Sequence, residues 1–195
     1  MAKQAPATPI WAADASGLDP KRSHRFILNL EDVPAYFVKS SGVPSIAISS
    51  TAKHQFLGHT FKFPGTLTWG PESLDITLVD TIDYNMAQKF SQYIRTAGYV
   101  YPSQFSENSS DPQYFRKTIS KAKFPFRRMS LDRIDAEGNR YEQWVLNNCF
   151  ITKVSFGDAD YGKEELLNVV VGVTFDWAEL RDKNGAILPF PGANT

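Results

Sequence analysis

The chain has 195 residues, enough for one domain with its own core. Its 42% apolar and 13% aromatic content excludes a disordered chain. Twenty-one basic and 21 acidic residues cancel, so no bulk charge draws it to nucleic acid or to an anionic membrane.

Residues 1–22 hold Pro6, Pro9 and Pro20 and a lone aromatic, Trp11, and read as an N-terminal arm that cannot build a core. An indole on such an arm calls for a docking place, on its own domain or on a neighbour. The arm has no apolar run long enough for a secretory signal, and no segment approaches the roughly 20 apolar residues of a membrane helix. The expectation is a soluble chain made in the cytosol.

From His24 the pattern has period two. Phe26, Leu28 and Leu30 share a face, a turn follows at Glu31–Pro34, and Tyr36 and Val38 resume the alternation, which predicts a hairpin. SGVPSIAISS predicts a short strand through Ile46 and Ile48, and LDITLVD one with Leu74, Ile76 and Leu78 on one face. In TIDYNMAQKFSQYIRTAG the period changes. Ile82, Met86, Phe90, Tyr93, Ile94 and Ala97 form one helical stripe, predicting a helix over about 81–97 with Thr81 or Asp80 as N-cap and Gly98 just past its end.

Residues 99–125 are aromatic, polar and proline-punctuated and read as a long loop or insertion. Strand signals return around Met129 and Leu131, a turn follows at Glu137-Gly138-Asn139, and YEQWVLNNCFITKVSF reads as one or two strands. The clearest strand is the last, with Leu167, Val169, Val171, Val173, Phe175 and Trp177 on one face. Residues 183–195 form a C-terminal tail, leaving 23–182 as the domain. Several short strands, one helix and no βαβ rhythm predict a mainly β, α+β antiparallel domain.

Gly157, four residues, Gly162 and Lys163 match the opening of a phosphate-binding loop, but Glu164 stands where the motif needs a hydroxyl. A strand pattern follows instead of a helix, and Asp158, Asp160, Glu164 and Glu165 would repel a triphosphate. The glycines therefore read as turn residues between two strands. The loop also lacks the bidentate Glu of a calcium loop, since Val169 holds the twelfth position. His24, His54 and His59 lack zinc-ligand spacing, and no G-x-S-x-G elbow occurs. The single Cys149, in the apolar run VLNNCFI, reads as a small buried hydrophobe. Neither an enzyme nor a cofactor site is expected.

One charge feature stands out. Arg116, Lys117, Lys121, Lys123, Arg127, Arg128 and Arg133 fall in a stretch whose only acid is Asp132, whereas the chain beyond Gly138 tilts acidic. Phe115, Phe124 and Phe126 interleave with these bases as platforms for stacked nucleotides would. On a neutral chain the better reading sets the basic segment of one copy against the acidic segment of the next, which runs through Asp158, Asp160, Glu164, Glu165, Asp176 and Glu179. Such head-to-tail contacts close rings or build filaments.

The order of elements, above all GPESLDITLVDTIDYNMAQKFSQYI and WVLNNCFITKVSFGDADYGKEELLNVVVGVTFDWAEL, resembles the tail tube proteins of contractile-tailed bacteriophages over roughly residues 23–182. Tube proteins of type VI secretion systems and phage-derived bacteriocins share that architecture, as does the baseplate tube initiator. The resemblance implies two antiparallel sheets packed as a barrel-like sandwich with a flanking helix. It also implies homo-hexameric rings stacked into a tube in a phage virion, assembled in the host cytoplasm, with sheath, baseplate and tape-measure proteins as partners. DNA would pass through the lumen without specific binding, so the basic 116–133 segment is expected at subunit contacts. The long loop used for ring stacking falls on TAKHQFLGHTFKFPG, which makes Phe56, Phe61 and Phe63 the expected anchors, together with Trp11 on the arm. A small-molecule carrier built on a closed β-barrel is the alternative of another class.

Overall fold

The computed structural model describes residues 20–104, 119–124 and 126–187. Ten strands and one α-helix follow in order: β1 Phe26–Leu30, β2 Val38–Ser41, β3 Ser45–Phe56, β4 His59–Gly70, β5 Leu74–Val79, α1 Met86–Thr96, β6 Arg128–Ile134, β7 Arg140–Asn147, β8 Phe150–Ser155, β9 Asn168–Thr174 and β10 Trp177–Arg181. The strands form two four-stranded antiparallel sheets, β1-β6-β7-β10 and β2-β5-β9-β8, and a separate two-stranded ribbon, β3-β4. The fold is thus the expected mainly β sandwich with one helix, with the ribbon added.

The two sheets share one core. Leu28, Leu30, Met129, Leu131 and Leu146 of the first meet Leu74, Ile76, Leu78, Val169, Val171 and Val173 of the second. Each set alternates along its strand, so one face goes inward and the other stays wet. Helix α1 adds Met86, Phe90 and Tyr93 to the same cluster, and its C-cap adds Ala97. Its aromatics continue edge to face from Phe90 to Tyr93 and from Tyr93 to Phe126, at centroid distances of 5.7 and 6.0 Å.

Four sequence expectations need correction. The predicted first hairpin does not form: β1 pairs with β6 and β2 with β5, because a short 3-10 turn at Ala35–Phe37 carries the chain from one sheet to the other. The helix begins at Met86 with Asn85 as N-cap, its side chain accepting from the Gln88 amide at 2.7 Å. Asp80 and Thr81 instead bind the connection ahead of it, through the Met86 and Tyr84 amides, and Ile82 is left exposed. The last alternating run is two elements. β9 ends at Thr174, and Trp177 opens β10 in the other sheet, so Leu167 and Trp177 lie at the surface. Finally, TAKHQFLGHTFKFPG is no irregular loop but the outer part of the ribbon.

YEQWVLNNCFITKVSF also changes sheet, from β7 to β8, at Asn148 and Cys149. This corner and the β9–β10 corner are joined. The Asp176 amide donates to the Asn147 carbonyl at 3.1 Å, and the Asn148 side chain donates to the Asp176 carboxylate at 2.8 Å. Gly98 follows the helix with positive φ, as expected of its position.

Candidate assembly surface

The ribbon is built by two alternating runs and a tight turn. Leu57 and Gly58 both have positive φ, 49° and 80°, the geometry of a two-residue primed turn whose twist suits the strands it joins. In the distal half, Ala52–Phe63, His54–Phe61 and Phe56–His59 are directly opposed pairs on one face, and Lys53–Lys62 and Gln55–Thr60 are pairs on the other. Two register shifts, around Ser50, separate this half from the proximal one, where Ile46 opposes Trp69 and Ile48 opposes Leu67. Trp69 ties the ribbon to the sandwich by an edge contact with Phe175, at a centroid distance of 6.5 Å.

The structure brings the three expected anchors together on one ribbon face and leaves them bare. Phe56 is 59% exposed, and Phe61 and Phe63 are each 51% exposed. None of them caps the core of its own subunit. Ile46, Ile48, Leu57 and Leu67 add exposed apolar surface along the ribbon. Sequence reading missed Lys53, Lys62 and these aliphatics as members of one structure. The alternation on either side of Leu57-Gly58 was the available signal.

The charged candidates divide. Trp11, Arg116 and Lys117 lie outside the described residues. Lys121 is engaged within its own subunit, donating to both carboxylate oxygens of Asp176 at 2.6 and 2.8 Å, and Arg127 donates to the Ala122 carbonyl. Arg128, exposed, opens β6. The Lys121 ammonium and the Asn148 amide hold the Asp176 carboxyl below its ordinary pKa. Asp158, Asp160, Glu164 and Glu165 are all exposed on the loop between β8 and β9. Lys163 reaches Asp160 at 3.8 Å, and Gly157 turns the chain at φ 80°, so the near-miss phosphate motif is a turn between strands.

Phe124 and Phe126 are buried at 4% and 0% exposure, which corrects their reading as stacking platforms, and Phe115 lies outside the described residues. Burial pushes the Cys149 thiol up to about 11, so it stays protonated and unreactive, and its position in the core is the one expected. Among the described residues no group of three or more His, Cys, Asp or Glu could hold a metal ion, and no helix is long and apolar enough to cross a membrane. Where a carrier would need a cavity, fully buried side chains such as Phe90, Phe126, Leu74 and Val171 fill the space.

Among the described residues, each sheet ends in strands that pair with one strand only: β1 and β10 in the first, β2 and β8 in the second, with a single further bridge from Arg181 of β10 to Ile187. Their unpaired N–H and C=O groups offer a row of hydrogen bonds to another chain.

The sequence matches no protein-family model and no curated protein sequence. Solved structures do match. The tube-terminating cap of the anti-feeding prophage aligns with 90% of this chain and 99% of its own at 18% identity, with a TM-score of 0.57. A chain from the sheath–tube complex of the PVC extracellular contractile injection system, in the extended state, aligns over 88% and 97% at 15% identity, with a TM-score of 0.54. A chain from the 6-fold symmetrised baseplate of the anti-feeding prophage aligns over 85% and 98% at 11% identity, also at 0.54. The chain therefore has the fold found in these tube, cap and baseplate assemblies of contractile injection systems.

Proposed function

We propose that this chain is a structural, non-catalytic subunit of a contractile injection apparatus, one that closes into rings and either stacks them into a hollow tube or caps that tube. The observation that carries the proposal is a fold shared nearly end to end with a tube-terminating cap, in a subunit that leaves a long apolar ribbon uncovered. Bare apolar surface on this scale marks an association site.

Ring closure uses the open sheet edges, which vanish when β-strands of neighbouring copies pair. Six copies per ring is the number we propose, after the 6-fold symmetrised assembly in which the fold recurs. Stacking uses the ribbon, with Phe56, Phe61 and Phe63 as anchors, and the arm that carries Trp11. The basic segment around Arg116, Lys117, Arg127 and Arg128 sits at subunit contacts and not in the lumen. In a phage tail the cargo is DNA, and a conduit should grip it weakly, since each phosphate contact adds affinity that transit must break. A sheath protein surrounds the tube, and a baseplate starts it.

Negative-stain electron microscopy of the purified chain, over a range of concentration and salt, tests this. Hollow tubes of uniform width identify a tube subunit, and uniform rings that never lengthen identify a cap. Monomers at every concentration and salt would overturn the proposal.

A further inference from the structure

If copies of this chain associate, some surface of one must receive the ribbon of the next, and the polar face of the ribbon indicates which. Lys53 and Lys62 lie directly opposite each other on it, and like charges so placed repel. Both are exposed, and neither has an acidic partner among the described residues. The arrangement becomes favourable when carboxylates from elsewhere approach both ammonium groups.

One described surface supplies them. The loop of residues 156–167 carries four exposed carboxylates, Asp158, Asp160, Glu164 and Glu165, against the single Lys163. Tyr161 stands fully exposed among them, with its ring free to lie along a lysine stem or under an ammonium. Of the rival cations, Lys121 is engaged by Asp176 and Arg127 by the Ala122 carbonyl, while Arg128 is exposed at the start of β6.

We propose that the lysine face of one copy's ribbon seats on the β8–β9 loop of a second copy, with Lys53 and Lys62 against its carboxylates and Tyr161 beside them. This rests on the reading of the chain as a ring or tube subunit, and it names the receiving surface. The aromatic face of the ribbon remains free for ring stacking. In a ring or tube the contact is head-to-tail, so a copy gives its ribbon to one neighbour and receives that of another.

The test is charge reversal with rescue, in the full-length chain. Lys53→Glu with Lys62→Glu should raise the concentration at half-assembly by roughly tenfold or more, read by sedimentation, while leaving the circular dichroism of the monomer unchanged. Adding Glu164→Lys with Glu165→Lys, at two positions that make no hydrogen bond among the described residues, should restore assembly. Carbodiimide cross-linking of mixed isotopically labelled copies should join Lys53 or Lys62 to a carboxylate of the loop between chains. If the wild-type chain assembles while the ribbon reversal changes nothing, or the loop reversal fails to rescue it, this contact is wrong and the ring-forming reading stands. A wild-type chain that stays monomeric overturns both.

Discussion

The sandwich and the ribbon use the same alternation of apolar and polar residues and end in opposite states. Leu74, Ile76 and Leu78 of β5 are at most 1% exposed, whereas the phenylalanines of the ribbon are more than half exposed. The difference lies in neighbours. β5 is flanked by β2 and β9 and roofed by the facing sheet, while β3 and β4 pair only with each other. A two-stranded ribbon by itself is marginal in water, since half its apolar face has no layer to lie against. Period two therefore specifies a strand; what covers its apolar face is decided elsewhere, in the same chain or in another.

Phe90 and the ribbon phenylalanines put that contrast to the test most directly. Phe90→Ala leaves a hole between the helix and both sheets and should cost about 3–5 kcal/mol, a large share of a domain's typical 5–15 kcal/mol, read as a fall in the urea midpoint. Assembly should fail with it. Phe61→Ala with Phe63→Ala should do the reverse: a monomer within about 0.5 kcal/mol of the wild type, and an association weaker by about 2 kcal/mol, roughly thirtyfold in the half-assembly concentration. A urea midpoint that falls as far as that of Phe90→Ala would mean the ribbon packs on its own body, and the contrast would be lost.

Much of the sandwich was legible because its core strands alternate without interruption. LDITLVD and the Val169–Val173 run announce their buried faces, and the helix stripe from Met86 to Ala97 reads correctly at its centre. What failed were the places where one apolar run serves two elements. Phe175 and Trp177 continue the alternation, but the chain changes sheet at Asp176, and period two is blind to that change. The hairpin expected at Glu31–Pro34 failed the same way, with one strand going to each sheet. The ribbon was hidden by its turn. Primed turns favour Asn-Gly or Asp-Gly, and a leucine at φ 49° is a poor advertisement for one. Phe56, Phe61 and Phe63 were singled out from the family resemblance, and the structure adds that they are exposed on one face of the ribbon. Lys53 and Lys62 were not, because their meaning depends on register.

A smaller effect should separate the β8–β9 loop from an ordinary turn. Gly157 has φ 80°, and a Cβ there would lie 2.8 Å from the Asn168 carbonyl and 2.8 Å from a Leu167 methyl. Gly157→Ala should cost about 1–3 kcal/mol, through the left-handed backbone and the clash together. Gly138, at φ 86°, has open space where its Cβ would stand, so Gly138→Ala should show the backbone part alone, about 1 kcal/mol. Urea titration of both variants gives the difference. If Gly157→Ala is no worse than Gly138→Ala, the loop is free to move off β9, and the surface proposed to receive the ribbon has no fixed place on the sandwich.

The smallest expected effect concerns charge closed within the chain, against charge left open on the ribbon. Asp176 takes hydrogen bonds from Lys121 and Asn148, and these hold its folded pKa below the ordinary value of 3.8. A carboxyl depressed by folding contributes stability above its unfolded pKa and loses it as pH falls through the folded one. Acidification below about pH 4 should therefore remove the contribution of this corner. Asp176 and Lys121 are both nearly half exposed, so solvent screens the pair and Asp176→Asn should cost only about 0.5 kcal/mol at neutral pH. The gap between variant and wild type should close as the acid limb is descended, followed by urea midpoints at successive pH values. A gap that persists unchanged below about pH 3 would mean that the carboxylate's charge is not what joins the two corners, and that the neutral hydrogen bond from the Asp176 amide to Asn147 holds them alone. The ribbon lysines have no such partner among the described residues, so the same descent in pH should leave their contribution to the monomer untouched and act on them only where a second copy supplies the carboxylates.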